Sequence, residues 1–316
     1  MESLTLDVKP LSKHPKNITF GVVAALITVT IWSIYFISLR VGALSPLTPE
    51  ELAIFRYSFP GFLLSPILWR YRVKIIAIPA LYLFGIVLGA GLPFFLLSAW
   101  GIRHGNVLQA STLIPGAAPL FVSLLTTTVF KQKIDFWRVI GLIFITLGIL
   151  VFLAQAIIFN TPELLYSLLI FIFCAFLWAI FTLSLRQAHL SPVLATALVT
   201  ASNGLAILLW VFFTKPQLGI LNMQMSEVLT QLMVQGIVVG VFSGYFYGYA
   251  ILRIGAESTS AVGSLTPVLA SILAWTLLGD QISVLGGLAL TLTTIGVLSA
   301  SGVMSKHTTL RKTHQK

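Results

Sequence analysis

One stretch occurs twice in this chain, WSIYFISLR at Trp32 to Arg40 and WAIFTLSLR at Trp178 to Arg186, with five of the nine positions identical. Each copy is followed at the same distance by Leu-Ser-Pro, at Leu44-Ser45-Pro46 and Leu190-Ser191-Pro192. Further on, Pro119 to Gly148 lines up with Pro267 to Gly296 without a gap, so that Ser123 meets Ser271, Leu142 meets Leu290 and Thr146 meets Thr294. The two halves are therefore copies, offset by about 146 to 148 positions, and any fold must be built from two similar units.

What surrounds the repeat sets the solvent. The chain is 57% hydrophobic and only 9% charged, against about a quarter charged for a soluble domain. Its long uncharged apolar runs are each close to the ~20 residues that cross a ~30 Å hydrocarbon core. Ten spans are predicted, at 18–39, 50–69, 75–100, 106–129, 136–157, 163–185, 192–214, 229–252, 257–278 and 282–303. The expected fold is an all-α integral membrane protein of ten transmembrane helices. The first repeat runs over 18–157 and the second over 158–303, with polar tails at 1–17 and 304–316. Five spans per copy is an odd number, so the copies cross the membrane in opposite senses, the inverted-repeat plan of secondary transporters.

Charge placement agrees with that count. With the amino end in the cytoplasm, fifteen of the nineteen Lys and Arg fall on the inner side; only Arg40, Arg103 and Lys215 fall outside, and Arg56 lies within a span. This bias places both termini inside and accounts for the net charge of +10 without nucleic acid, since no basic helix or aromatic-basic strip is present. The first apolar run is too long for a signal h-region and reads as a retained span.

Trp32 with Arg40 at the end of its span, Arg56 in span two, Pro119 and Pro267 in spans four and nine, Gln132 and Asp280 thirteen positions on, and Gly148 and Gly296 sixteen beyond form a pattern. In this pattern the chain resembles EamA-type members of the drug/metabolite transporter superfamily over nearly its whole length. The resemblance implies a ten-helix carrier of amino acids, amines, purines or other metabolites. Gln132 stands where that family often has Glu.

Several residues are candidates for the work. Gly236, Gly240, Gly244 and Gly248 form a four-residue ladder that lets another helix approach closely or leaves room for substrate. Beside it, Tyr245 and Tyr249 are polar-tipped aromatics that either line a cavity or belong to an interfacial belt. Arg56 is a cation within a span, where charge is costly, and either meets a substrate carboxylate or holds a neighbouring helix. Trp32 and Trp178 occupy equivalent places that either face a central cavity or pack helices. Pro115, Pro119 and Pro267 interrupt helical bonding and are candidate hinges. Gln109, Ser264 and Asn203 are uncharged polar candidates for substrate contact.

Enzyme signals fail where they should appear: the five His lie in tails or connectors, no acidic pair shares a span, and there is no P-loop. The single Cys174 sits in an apolar run and offers no disulfide or cysteine metal site. No cofactor and no metal are expected. Of the carboxylates only Glu257, four residues after Arg253, approaches a bundle interior, so a membrane-centre proton carrier is not expected.

The function expected is secondary transport of a small polar metabolite, amino acids leading, outward across a bacterial inner membrane. The partners are then that substrate and the lipid bilayer. A monomer of ten spans suffices and a dimer is compatible. Export of amines, purines or drug-like cations, and a non-transporting membrane scaffold or sensor, are the alternatives.

Overall fold

A computed structural model describes residues 18–301. The tails at 1–17 and 304–316 lie outside the described residues, as does the side chain of Glu257. Nine of the helices are long and apolar enough to cross a membrane: α1 (Ile18–Leu44), α2 (Pro49–Arg70), α3 (Ala80–His104), α4 (Val107–Thr128), α5 (Phe136–Ile158), α6 (Pro162–Ala188), α7 (Pro192–Thr214), α8 (Met225–Gly255) and α9 (Ser258–Leu278). A shorter apolar helix, α10 (Val284–Ala300), completes two sets of five. There is no strand among the described residues. This is what an apolar solvent demands, because only a helix satisfies its backbone polar groups within one segment.

Polar caps mark where these helices begin. Thr48 and Glu51 form a capping box on α2, Asn106 and Gln109 form another on α4, and Asp135, Ser191 and Ser283 cap α5, α7 and α10. These caps correct one register of the repeat. Ser191 caps α7 with Pro192 as its first residue, but Ser45 and Pro46 lie in the turn after α1, where the Ser45 hydroxyl reaches the Gly42 carbonyl at 2.7 Å. The mate of Leu190-Ser191-Pro192 is Leu47-Thr48-Pro49, because the residue that starts a helix must accept from its first turn and Thr48 does so.

Two glycine contacts show how the halves meet. A Cβ built on Gly148 of α5 would stand 2.9 Å from the Ala289 carbonyl oxygen, and one on Gly296 of α10 would stand 2.7 Å from that of Gly141. Gly148 and Gly296 are repeat mates, and so are Gly141 and Ala289, at the same spacing of 148. The contact is therefore self-complementary, as a two-fold axis requires. Between α2 and α7, Gly61 approaches the Thr200 carbonyl and Gly204 approaches that of Tyr57, a second reciprocal pair. In the same sense α1 packs on α8 and α9, while α6 packs on α3 and α4. Small residues at these crossings let backbones come together where lipid gives helices little hydrophobic reason to associate.

Four helices are interrupted near mid-span, among them α8, which winds as a π-helix over Leu232–Phe242. In α2 the turn at Ile54–Ser58 is a π-turn; Pro60, four residues after Arg56, has no N–H to give the Arg56 carbonyl. The α3 helix breaks at Ala90–Gly91. The α9 helix breaks before Thr266–Leu273, which Pro267 opens. Pro115 and Pro119, by contrast, lie inside a continuous α4.

Candidate functional site

The interruptions border one central cavity of about 210 Å³, the scale of a small metabolite. Its walls are aromatic. Trp32, Tyr35 and Phe36 project from one face of α1, at the i, i+3 and i+4 spacing that stacks side chains on a helix. Trp178 and Phe181 repeat that stripe from α6, and Phe94 and Tyr247 come from α3 and α8. The Trp32 and Tyr247 rings lie 5.2 Å apart at 42°, and those of Trp178 and Phe94 lie 5.4 Å apart at 41°.

Arg56 is the one charged side chain among the described lining residues. Its guanidinium carbon is 5.9 Å from the Tyr35 ring centre and 5.7 Å from that of Tyr57, within reach of cation–π attraction. Among the described residues its Nη1 has no hydrogen-bond partner, and neither has the Tyr35 hydroxyl nor that of Thr266, which also line the cavity. Tyr57, in contrast, donates to the Ala90 carbonyl at 2.9 Å and so satisfies a group that the α3 break sets free. Three unpartnered donors in an apolar, aromatic chamber can grip an anionic or strongly accepting group.

The other expected site residues are elsewhere. Tyr245 is 53% exposed and stacks on Tyr249 with centroids 6.4 Å apart, outside the cavity; Tyr247, two residues along and about 200° round the helix, faces in. Asn203 spans the α3 break: its amide donates to the Val87 and Val199 carbonyls at 3.0 and 2.9 Å, and its Oδ1 accepts from the Leu92 N–H at 2.8 Å. No hydrogen-bonding group of Asn203 is left for a substrate. The Gln109 side-chain oxygen is engaged in its capping box, accepting from the Asn106 N–H at 3.0 Å. The Ser264 hydroxyl donates to Ala261 at 2.7 Å, and Thr266 lines the cavity in its place. Of the three candidate hinge prolines only Pro115 lines the cavity.

The glycine ladder seats α8 against two helices. A Cβ on Gly236 would meet the Phe55 carbonyl at 2.9 Å and one on Gly240 the Pro60 ring at 2.8 Å, both on α2. One on Gly248 would meet Pro192 of α7 at 3.0 Å, and one on Gly244 would overlap the Thr196 hydroxyl. Gly244 also borders the cavity.

The cavity is not centred between the ends of the bundle. It extends to Leu185 at the end of α6, Pro192 at the start of α7 and Ile251 near the end of α8. At the opposite end the repeat mate of Leu185, Leu39, is fully buried, as is Leu52. That end is also tied down by Glu51, whose carboxylate accepts from the N–H groups of Thr48, Gly219 and Ile220 at 2.8, 3.1 and 2.9 Å. The long connector after α7 is thereby strapped across the turn between α1 and α2. Among the described residues there is no cluster of His, Cys, Asp and Glu that could hold a metal.

Comparison with known proteins agrees with this architecture. The profile of the EamA-like transporter family matches residues 19–154 and again residues 165–302. An uncharacterized transporter, YdfC of Bacillus subtilis (strain 168), is 27% identical over 272 residues, covering 82% of this chain and 84% of its own. A solved crystal structure shares the fold with a TM-score of 0.61 at 16% identity, over 90% of this chain and 97% of its own. With both repeats matched and ten apolar helices arranged about a shared axis, the chain is a multi-pass membrane protein that belongs to the EamA-like transporter family, in the drug/metabolite transporter superfamily.

Proposed function

We propose that this protein exports a small carboxylate-bearing metabolite, amino acids being the leading class, across a bacterial inner membrane by alternating access. The observation that carries this reading is Arg56, a guanidinium with an unpartnered Nη1 facing an aromatic chamber that holds no described carboxylate to neutralise it. A buried cation costs free energy unless something pairs with it, and a substrate carboxylate supplies that pair. Tyr35 and Thr266 offer two further donors to the same group, and Trp32, Trp178 and Tyr247 offer faces for an apolar or planar remainder.

The excess of Lys and Arg on one side supports both termini in the cytoplasm. In that orientation the Leu185, Pro192 and Ile251 end of the cavity faces the cytoplasm, the loading side of an exporter. Ten spans complete the two-repeat unit, which supports a monomer as the working form.

The test is counterflow in proteoliposomes loaded with amino acids, organic acids, amines or purines, followed as uptake of the labelled counterpart. Uptake of carboxylates that is lost in Arg56→Gln is the expected result. Uptake of amines or purines alone, or uptake of carboxylates that Arg56→Gln leaves unchanged, overturns the assignment.

A further inference from the structure

The two copies of the nonapeptide end in the same Ser-Leu-Arg, yet the two arginines are placed differently. Arg40 Nη1 donates to the carbonyls of Ile102 and Arg103, the latter at 3.0 Å, at the end of α3. It thereby ties α1 to α3 at the closed end of the cavity. Arg186 is exposed, sits next to the cavity-lining Leu185, and its guanidinium has no hydrogen bond to any described residue. The same contrast holds for their neighbours, because Leu39 is fully buried while Leu185 lines the open end.

The acceptor is duplicated as well. Helix α3 ends in Ile102-Arg103-His104-Gly105 and α8 ends in Leu252-Arg253-Ile254-Gly255. In each, an Arg stands two residues before a glycine that departs from helical geometry. Gly105 has ψ −148, and Gly255 has φ 82 and ψ 160. A helix that stops leaves its last carbonyls without an intrahelical N–H. At α3, Arg40 takes two of them; the equivalent pair on α8 belongs to Leu252 and Arg253. Arg186, the repeat mate of Arg40, lies on α6, the repeat mate of α1, at the end of the bundle where those carbonyls are.

We infer that Arg40 and Arg186 are alternating latches of the two gates: Arg186 donates to the carbonyls of Leu252 and Arg253 when the cavity closes at the Leu185 end, and Arg40 releases Ile102 and Arg103 as the other end opens. The exchange breaks one set of arginine–carbonyl bonds and forms its mirror image. The two states therefore stay close in free energy, which a carrier needs in order to pass between them. Both arginines act as positioning residues for the transport step and need not touch the substrate. The inference rests on the chain's being a transporter, but not on which substrate it carries.

The experiment reads the gates without any substrate. In a Cys174→Ala background, Ser243→Cys places a single thiol in the cavity wall. Its alkylation by a membrane-impermeant maleimide is followed in sealed vesicles of each orientation. Arg40→Gln removes the latch that is formed here, so labelling from the face carrying the α6–α7 connector falls by about threefold or more, and labelling from the opposite face rises. Arg186→Gln removes the latch of the other state and shifts labelling the opposite way. The double substitution returns the ratio toward that of the parent. Arg186→Lys and Arg40→Lys, which keep one donor, shift labelling in the same directions by less and serve where a glutamine variant does not fold. Shifts in the same direction for the two arginines, or no shift in either, overturn the inference, since loss of a merely structural bond has no reason to act with opposite sign on the two faces.

Discussion

Trp32 rests on Tyr247 with 5.2 Å between ring centres and 42° between planes. Its repeat mate Trp178 rests on Phe94 at 5.4 Å and 41°. The α1–α8 and α6–α3 contacts thus reproduce each other down to ring geometry, while only the α8 partner carries a hydroxyl. Tyr247→Ala is expected to weaken substrate binding by about 3- to 10-fold, as loss of an aromatic pair of about 0.5–1.5 kcal/mol predicts. Tyr245→Ala, on the outer face of α8, is expected to leave it unchanged. Quenching of tryptophan fluorescence by substrate in detergent distinguishes the two.

Arg56 is expected to govern affinity through its fork of donors as well as its charge. Arg56→Gln should raise the half-saturating substrate concentration by about 10- to 100-fold, from a charge-assisted contribution of about 1.5–3 kcal/mol. Arg56→Lys should fall between, since an ammonium keeps the charge but cannot bond a carboxylate in two places. Equal loss in both variants would indicate a packing role against Tyr35 and Tyr57 instead.

Asn203 predicts a loss of stability with little change in binding. Asn203→Leu leaves the Leu92 N–H and the Val87 carbonyl unpaired at the α3 break, at about 1–3 kcal/mol for each buried group. The thermal transition in detergent should fall, while the substrate dissociation constant measured below the transition stays within about twofold of the parent.

Gly148→Val and Gly296→Val should destabilise to a similar degree, because each drives a side chain into the backbone of the facing helix across the same axis, at about 1–3 kcal/mol for overpacking. Gly287→Val on the same α10 meets nothing nearer than 3.9 Å and is the matched control. Thermal unfolding of the three variants side by side checks the reciprocity.

Glu51 holds the connector after α7 by the N–H groups of Gly219 and Ile220, while also accepting from the Thr48 N–H at the start of α2. Glu51→Ala should free that strap, so chymotrypsin cleavage after the exposed Leu221 accelerates. An unchanged rate would mean that the packing of Ile220 and Met223 against the core holds the strap without the carboxylate.

Trp32, Trp178 and Arg56 were visible because a repeated Trp and a mid-span cation are rare in apolar runs, and all three reach the cavity. Tyr35 was legible in principle, since it shares a helical face with Trp32 three residues away. Tyr245 and Tyr249 stand on one phase of α8 and Tyr247 on the other, and a single helix does not say which phase faces its neighbours. Asn203 and Gln109 resembled substrate ligands because an uncharged polar side chain in a span needs partners; that those partners are the broken backbone of α3 and the first turn of α4 depends on where other helices stop. The Leu-Ser-Pro match misled by three positions, since a short identity in a turn carries less information than the cap that starts a helix.

By itself the sequence determined that this chain is a membrane bundle of two similar halves. Hydrocarbon admits only helices of a certain length, and an odd number of spans per copy forces the copies to invert. Only the tertiary structure decided which faces enclose the cavity, that Arg56 lies in its wall with its Nη1 unpaired among the described residues, and that one of two equivalent ends is closed. Those depend on how each helix is rotated and where it breaks, set by close contacts such as Gly148 on Ala289 and Gly244 on Thr196 between residues far apart in the chain.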